Sequence, residues 1–459
     1  MENVSTIAAL ATAPAPAGIA VIRISGPNAK IALKSLFRSK HNPADNPRML
    51  VYGDLLDYKS GEVIDHALAV FMPNPFSFTG EDIGEFQFHG SPLLVEKVLG
   101  SLYAFGIIPA EPGEFSKRAF LNGKIDLAQA EAIADLINAS SEHALKIAGE
   151  QMHGKLSNAV NEIGEPLRNS LAEIEAHIDF PEEDINPQTL SNIKSVLTKS
   201  KDNIQELLKS YDYGHKVKEG FKVLLCGPPN AGKSSLLNLL LGKERVIVSD
   251  ISGTTRDTIE EEALIANYRF LFCDSAGIRN TNDPIEKIGI ELAFEKMSWA
   301  DLVVLVVDAC ESEKTWEEIL PELKLKTKKI WLLVNKIDLN PSAIGKIYCD
   351  SSTCQQNFYV SVKSKAGIDS FMQALVDEIK SASDQSENAH TITNERHKNC
   401  LERAQSHVDK AIVNINDCLP NEIISADIRN ALNALEEIVG VTYNEDILGR
   451  IFSKFCIGK

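Results

Sequence analysis

Hydrophobic positions change their spacing three times along the chain, and each change predicts a different kind of structure. Residues 1–118 carry short apolar runs, such as 18–24 and 67–71, between proline and glycine turns, which predicts a compact α+β domain. Over 119–218 the apolar residues recur at helical spacing, and the same spacing returns over 384–459. We therefore expect two separated helical stretches to form one bundle.

Residues 219–383 alternate between strand-like and helical runs. The predicted strands are 221–226, 268–273, 302–307, 330–334 and 358–360, and the predicted helices are 235–241, 285–299 and 368–379. Such alternation predicts a mainly parallel sheet with helices on both faces. The polar, serine-rich residues 381–389 read as a linker, so this domain is expected to be an insertion into the helical bundle.

A glycine-rich loop, Gly227-Pro-Pro-Asn-Ala-Gly-Lys-Ser234, follows the first predicted strand of the insertion and precedes a helical run. This is the setting of a phosphate-binding loop. The glycines let the backbone wrap an anion, and the helix N-terminus aims its amides at the phosphates. Lys233 supplies a positive charge and Ser234 offers a hydroxyl to Mg²⁺. We expect a P-loop domain that binds a nucleoside triphosphate.

Four later segments extend the predicted nucleotide site, and one of them favours GTP over ATP. Asp274-Ser-Ala-Gly277 follows a predicted strand, where the acid can hold Mg²⁺ through water and the glycine amide can reach the γ-phosphate. In Asn335-Lys-Ile-Asp338, the carboxylate can accept hydrogen bonds from guanine N1 and its amine, a donor pair that adenine lacks. Gly253-Thr-Thr-Arg-Asp257 is typical of a switch that closes on Mg²⁺. Ser361-Val-Lys363, a weaker motif, can pack against the base.

Composition restricts the partners and the compartment. A net charge of −17 argues against a broad basic surface for nucleic acid, so any RNA must meet a local patch. Without an apolar run of membrane length or a basic leader, the chain is expected in the cytoplasm. The eight cysteines lack a CxxC pair, which argues against a zinc site or a disulfide framework. Cys226 and Cys273 are expected to be buried in strands.

Longer segments resemble a known family, the tRNA-modifying GTPases MnmE, also called TrmE. The resemblance rests on 7–26 (IAALATAPAPAGIAVIRISG), 78–90 (FTGEDIGEFQFHG), 112–136 (PGEFSKRAFLNGKIDLAQAEAIADL) and the closing LGRIFSKFCIGK. Generic GTPases share only the central motifs. The resemblance implies an N-terminal α+β folate-binding and dimerisation domain, a discontinuous helical domain and a TrmE-type GTPase domain, within the boundaries given above.

The resemblance also implies a GTPase activated by K⁺. A monovalent cation between the β- and γ-phosphates can do what an arginine finger does elsewhere. No glutamine follows Gly277, and the water-orienting role falls by resemblance to Glu286, with Asn230 and Lys233 as the other catalytic residues. The implied K⁺ ligands are Asn230, Ser249, Ile251 and Thr254, and the implied Mg²⁺ ligands are Ser234 and Thr255. The implied GTP contacts are Asn230, Ala231, Gly232, Lys233, Ser234, Ser235, Ser249, Asp250, Ile251, Ser252, Gly253, Thr254, Thr255, Asp274, Ser275, Ala276, Gly277, Asn335, Lys336 and Asp338.

For the N-terminal domain, the resemblance implies a tetrahydrofolate derivative, in its 5-formyl or methylene form, bound by Arg23, Glu85, Lys124 and Lys459. Basic side chains suit the glutamyl carboxylate of folate, and the glutamate suits the N–H edge of the pterin. From the residues alone, Arg23 would pass as an exposed strand residue and Glu85 as an edge-strand charge. Cys456 in the closing CIGK is a candidate for chemistry on uridine or, equally, a small residue that only packs.

The function implied is addition of a carboxymethylaminomethyl or aminomethyl group to C5 of the wobble uridine of certain tRNAs. A homodimer and a heterotetramer with an FAD-binding partner of the MnmG (GidA) type are implied with it. The alternative is a regulatory GTPase that binds an assembling ribosome and performs no modification chemistry. That class is expected to carry a basic RNA-binding appendage, for which the acidic helical segments are poor evidence. A test of folate binding distinguishes the two functions, since it is expected of the tRNA-modifying GTPase alone.

Overall fold

The computed structural model describes residues 5–179, 187–242, 260–274, 297, 299–311, 329–346, 354–381 and 390–458. By its internal contacts the chain divides into two compact units. The first comprises 1–134, 151–187 and 413–459, and the second comprises 135–150 and 188–412.

A seven-stranded sheet forms the centre of the first unit, in the order β3-β4-β5-β6-β2-β1-β7. Its neighbouring strands run antiparallel, except for the parallel pair of β1 and β7. Apolar residues on one face pack against two helices, α1 and α2. The elements are β1 Ile7–Leu10, β2 Ala17–Ser25, α1 Ala29–Leu36, β3 Phe37–Arg38, β4 Val51–Leu56, β5 Val63–Met72, β6 Ile83–Gly90, α2 Pro92–Phe105 and β7 Ile108–Pro109.

A run of helices follows this sheet domain in sequence, as the helical spacing predicts. They are α3 Glu114–Leu121, α4 Leu127–Asn138, α5 Glu142–Met152, α6 Lys155–Asp179, α7 Pro187–Lys209 and α8 Tyr211–Glu219. Helix α8 leads into the first strand of the insertion, and its Tyr211 and Val217 are buried.

A six-stranded sheet forms the centre of the second unit, in the order β13-β12-β11-β8-β10-β9. All its strand pairs are parallel except β9 with β10, so the predicted mainly parallel sheet is confirmed. Clusters of buried side chains lie on both of its faces. The elements are β8 Phe221–Cys226, α9 Lys233–Leu241, β9 Glu260–Ile265, β10 Tyr268–Asp274, β11 Leu302–Asp308, β12 Ile330–Asn335, β13 Gln356–Tyr359 and α10 Ile368–Lys380.

Three helices complete the chain: α11 Glu395–Asn416, α12 Asn421–Val439 and α13 Glu445–Phe452. Helix α12 packs along α6 in the first unit, where the Arg168 Nε lies 3.3 Å from Glu436 Oε1. Residues of the two separated helical stretches therefore pack together, which confirms the discontinuous helical domain. The predicted linker beyond residue 381 and most of the predicted helix 285–299 lie outside the described residues.

Candidate functional site

The loop between β8 and α9 passes so close to its neighbours that a side chain would clash at two of its glycines. Gly227 has φ +136°, and a Cβ there would lie 2.0 Å from the carbonyl oxygen of Val306. Gly232 has φ +97°, and its Cβ would lie 2.2 Å from Nδ2 of Asn335. Side chains are strained at such positive φ values in any case. The two glycines of the motif are therefore required by the contacts of the loop as well as by its curvature.

Lys233 begins α9 and turns its ammonium group back into the loop. Its Nζ donates hydrogen bonds to the carbonyl oxygens of Gly227 at 2.9 Å and Pro228 at 2.8 Å. With only 7% of the residue exposed, this positive charge sits beneath the N-terminus of α9, where backbone amides also attract anions. The loop therefore has the charge and the amide donors that a phosphate group needs.

Ser234, in the first turn of α9, meets Asp274 at the carboxyl end of β10. The hydroxyl of Ser234 donates a 2.7 Å hydrogen bond to Oδ2 of Asp274, which ends β10. Hydroxyl and carboxylate oxygens are the ligands that Mg²⁺ prefers. These two residues fit a magnesium ion beside the phosphate loop.

Asn335 connects the phosphate loop to a segment far away in sequence. Its Nδ2 donates to the carbonyl oxygen of Ala231 at 2.9 Å, and its Oδ1 accepts from the backbone N–H of Val362 at 3.2 Å. The residue is 2% exposed, so water does not compete for these bonds. This one amide fixes the distance between the loop and Ser361-Val-Lys363.

The carboxylate of Asp338 is oriented by the same distant segment. The buried hydroxyl of Ser361 donates to Asp338 Oδ1 at 2.6 Å and accepts from the backbone N–H of Ser364 at 3.1 Å. Asp338 itself is exposed, so an incoming base can reach it. The structure thus brings together the two motifs assigned to guanine, including the one that the sequence supports weakly.

Asp308 is a site residue that the sequence reasoning missed. It ends β11, and its Oδ2 lies 2.7 Å from the ammonium group of Lys336. Burial raises the pKa of this carboxyl, but the hydrogen bonds from Lys336 and from the backbone of Cys310 outweigh burial and lower the pKa. Asp308 stands opposite Asn335 in the parallel register, and an acid at the end of a predicted strand is the signal that could have found it.

Much of the predicted switch and cation site lies outside the described residues. This holds for Ser249, Asp250, Ile251, Ser252, Gly253, Thr254, Thr255, Ser275, Ala276, Gly277 and Glu286. Among the residues assigned to K⁺ the structure describes Asn230, which is exposed and has φ 62°, and among those assigned to Mg²⁺ it describes Ser234. Ser235 lies exposed in the first turn of α9.

In the N-terminal domain, Arg23 and Glu85 form an ion pair across two strands. They are opposite each other on β2 and β6, with Arg23 Nε 2.8 Å from Glu85 Oε1. The guanidinium also lies 5.8 Å from the ring centre of Phe78 and 5.9 Å from that of Phe115. Strand β6 lies between β5 and β2, so the interpretation of Glu85 as an edge-strand charge is wrong.

Lys124 belongs to the same region of the chain's first unit. Its Nζ donates to the carbonyl oxygen of Pro75 at 2.8 Å, and its methylene stem passes beside Gly80. These residues bound the segment that carries Phe78. The cationic and acidic groups suit a folate chemically, although Arg23 and Glu85 now satisfy each other. Lys459 lies outside the described residues.

The C-terminal segment rests on the N-terminal sheet domain. Gly458 has φ +94°, and a Cβ there would lie 2.0 Å from the carbonyl oxygen of Leu10. The carbonyl oxygen of Cys456 accepts a 3.5 Å hydrogen bond from Gly113, while the cysteine itself is exposed. The thiol is therefore accessible at the surface of this domain.

Cys226 and Cys273 are buried in their strands, as predicted, and burial raises the pKa of Cys226 to about 12. In the described part of the chain, no helix is long and apolar enough to cross a membrane.

Two family models match the chain. The model of the GTP-binding protein TrmE N-terminus matches residues 6–124, and the model of the MnmE helical domain matches residues 127–456. The chain is similar to the tRNA modification GTPase MnmE of Desulforamulus reducens, with 40% identity over 99% of both chains. It is similar to the protein of that name from Clostridioides difficile, with 39% identity over 99% of both.

Among solved structures, the G domain of the T. maritima FeoB iron transporter matches 36% of this chain and 99% of its own. Its sequence identity is 25% and its TM-score is 0.27.

Proposed function

The chain belongs to the MnmE (TrmE) family of tRNA modification GTPases, and from this membership we propose a K⁺-activated GTP hydrolase that modifies C5 of the wobble uridine. The group added is carboxymethylaminomethyl or aminomethyl. A tetrahydrofolate derivative supplies the carbon, and an FAD-binding partner of the MnmG (GidA) type acts with a homodimer of this chain in the cytoplasm.

The proposal that the chain binds GTP rests mainly on the two hydrogen bonds of the Asn335 side chain. Because its amide bonds both the phosphate loop and Val362, the phosphate and base sites are held at one fixed separation. Asp338, oriented by Ser361, then presents its carboxylate to the donor edge of guanine. A ligand that satisfies both ends carries phosphates and a guanine base.

Within this site the chain's own residues divide the work of GTP hydrolysis. Lys233 moves its hydrogen bonds from the loop carbonyls to phosphate oxygens, where its charge opposes the charge that builds up in the transition state. Ser234 and Asp274 would hold Mg²⁺, whose positive charge would offset the negative charge of the phosphates. Asn230, exposed in the loop, would offer an amide oxygen to K⁺, and the charge of that ion would take the place of an arginine finger.

The proposed tRNA modification depends on residues of the first unit. Arg23, Glu85 and Lys124 give it the charged groups for a folate, and the tail carries the exposed thiol of Cys456 to the same domain. The thiol of Cys456 is a candidate for chemistry on the uridine, and a change of nucleotide state closes the site.

The decisive experiment is GTP hydrolysis by the purified full chain in K⁺ and Na⁺ buffers of equal ionic strength. We expect strong activation by K⁺ that disappears in Asn230→Ala. Asn238→Ala, at an exposed position on α9, is the matched control and should keep the activation. Equal rates in both salts would contradict the cation mechanism and favour a ribosome-assembly GTPase.

A second measurement tests the coupling to tRNA. Cells whose own copy is replaced by Lys233→Ala should lose the modified wobble nucleoside, detected by mass spectrometry of digested tRNA. Normal modification in these cells would show that the nucleotide site is not needed for the tRNA chemistry.

A further inference from the structure

At the carboxyl ends of β11 and β12, a partly buried acid lies against the lysine of the guanine motif. Asp308 and Asn335 are paired in the register of these strands, and Lys336 follows directly. The ammonium of Lys336 lies 2.7 Å from Asp308 Oδ2, while Asp308 Oδ1 accepts a 2.9 Å hydrogen bond from the backbone of Cys310. The Asp308 side chain is 10% exposed, against 32% for the lysine.

This arrangement fixes Lys336 at both ends. Its backbone has φ 64°, a conformation that is uncommon for residues other than glycine and that the turn after β12 maintains. Its ammonium group is held by a carboxylate that a backbone N–H in turn holds in place. The four methylene groups between them have little freedom, and such a stem presents an apolar surface to a flat ring.

We propose that Asp308 is a positioning residue of the guanine site, which holds the stem of Lys336 in place as one wall against the base. The neighbours of the lysine make this placement specific. Asn335 precedes it and bonds the phosphate loop, and Asp338 follows two residues later with its exposed carboxylate. The inference rests on the proposed binding of a guanine nucleotide, and it adds a residue outside every motif assigned to that site.

The opposite end of the same strand provides a matched control. Asp301 precedes β11 and accepts a 2.9 Å hydrogen bond from the backbone N–H of Lys222, next to the start of β8. Like Asp308 it joins β11 to a neighbouring strand, but it does so at the amino end of the sheet. Loss of Asp301 removes a comparable structural bond without touching Lys336.

The experiment measures the release of GDP carrying a methylanthraniloyl fluorophore from the full chain. The variants are Asp308→Ala, Asp308→Asn, Lys336→Met, Asp308→Ala with Lys336→Met, and Asp301→Ala. Because a hydrogen bond between charged groups is lost, we expect Asp308→Ala to speed release about tenfold. Lys336→Met keeps a stem but has no charge for Asp308 to hold, so Asp308→Ala should change release less than about twofold in that background. Asp301→Ala should release GDP like the wild type.

The outcomes separate the inference from the function on which it rests. If Asp308→Ala speeds release equally with lysine or methionine at position 336, Asp308 acts by another route and the proposal is wrong. Unchanged release in Asp308→Ala overturns it as well. If Asp308→Ala does not fold, Asp308→Asn carries the test, since it keeps an acceptor for Cys310 and weakens only the ion pair. Failure of the wild type to bind GDP would instead refute the nucleotide site itself.

Discussion

Replacing Gly232 with alanine should break the hydrogen bonds by which Asn335 joins the phosphate loop to the base site. The new Cβ would lie 2.2 Å from Nδ2 of Asn335, so the amide must swing away and lose its bonds to Ala231 and Val362. Each lost bond costs about 1 kcal/mol. The φ of +97° adds about 1 kcal/mol of strain for a residue with a side chain. We expect a loss of stability of about 3 kcal/mol.

Gly345 separates the strain from the clash. It lies in the same unit with φ +80°, and a Cβ there would meet no heavy atom within 4 Å. Gly345→Ala should therefore cost only about 1 kcal/mol. In calorimetry of the full chain, the unfolding temperature of the nucleotide-binding unit should fall by about 9 °C in Gly232→Ala and by about 3 °C in Gly345→Ala. Affinity for GDP should fall sharply only in Gly232→Ala.

Equal shifts in the two variants would refute this reasoning, because the contact with Asn335 would then carry no energy. Retention of full GDP affinity by Gly232→Ala would refute it too. Gly227→Ala sets the upper limit, since its Cβ would lie 2.0 Å from the backbone of Val306, which cannot swing aside as an amide side chain can. That variant should yield no folded nucleotide-binding unit.

Three further predictions concern other parts of the chain. Glu85→Gln should destabilise the N-terminal domain by about 2 kcal/mol, because Arg23 is left without its counter-ion between two aromatic rings. Urea titration measures this, and an unchanged unfolding midpoint would contradict it. The folded-state pKa of Asp308 is lowered from 3.8, so its stabilisation is complete above that pH and is lost as pH falls through the folded-state pKa. The free energy of unfolding, measured by urea titration at a series of acidic pH values, should therefore fall less steeply with falling pH in Asp308→Asn than in the wild type. Iodoacetamide should label Cys456 and spare buried Cys226, as peptide mass spectrometry would show.

The nucleotide-binding unit was predictable because its signals are local. The predicted strand 221–226 is observed with the same bounds, and the predicted helix 235–241 begins two residues earlier, at the lysine of the loop. Strand β9 was missed since it begins Glu-Glu-Glu, which does not read as a core strand. Only its alternate positions, Ala263 and Ile265, are buried, and it pairs at the edge of the sheet, where charged residues are tolerated.

Contacts that depend on register could not be predicted in the same way. Asp308 meets Lys336 because two parallel strands end level with each other, and no spacing within the sequence encodes that alignment. Ser361 meets Asp338 for a similar reason, since β13 joins the sheet beside β12. The motif Ser361-Val-Lys363 consists of three common residues and is weak evidence by itself. Its contact with Asp338 across the sheet indicates its role.

The pairing of Arg23 with Glu85 changes how a folate can be held. With the folate contacts implied by the family resemblance, the arginine suits the glutamyl carboxylate and the glutamate suits the pterin edge, which are opposite ends of one molecule. Two side chains 2.8 Å apart on adjacent strands cannot serve both ends. If folate binds here, both groups must face the same part of it, and a pterin edge offers donors for the carboxylate beside an acceptor for the guanidinium. Lys124, whose Nζ lies against the carbonyl oxygen of Pro75, is then a cation that could meet the glutamyl end.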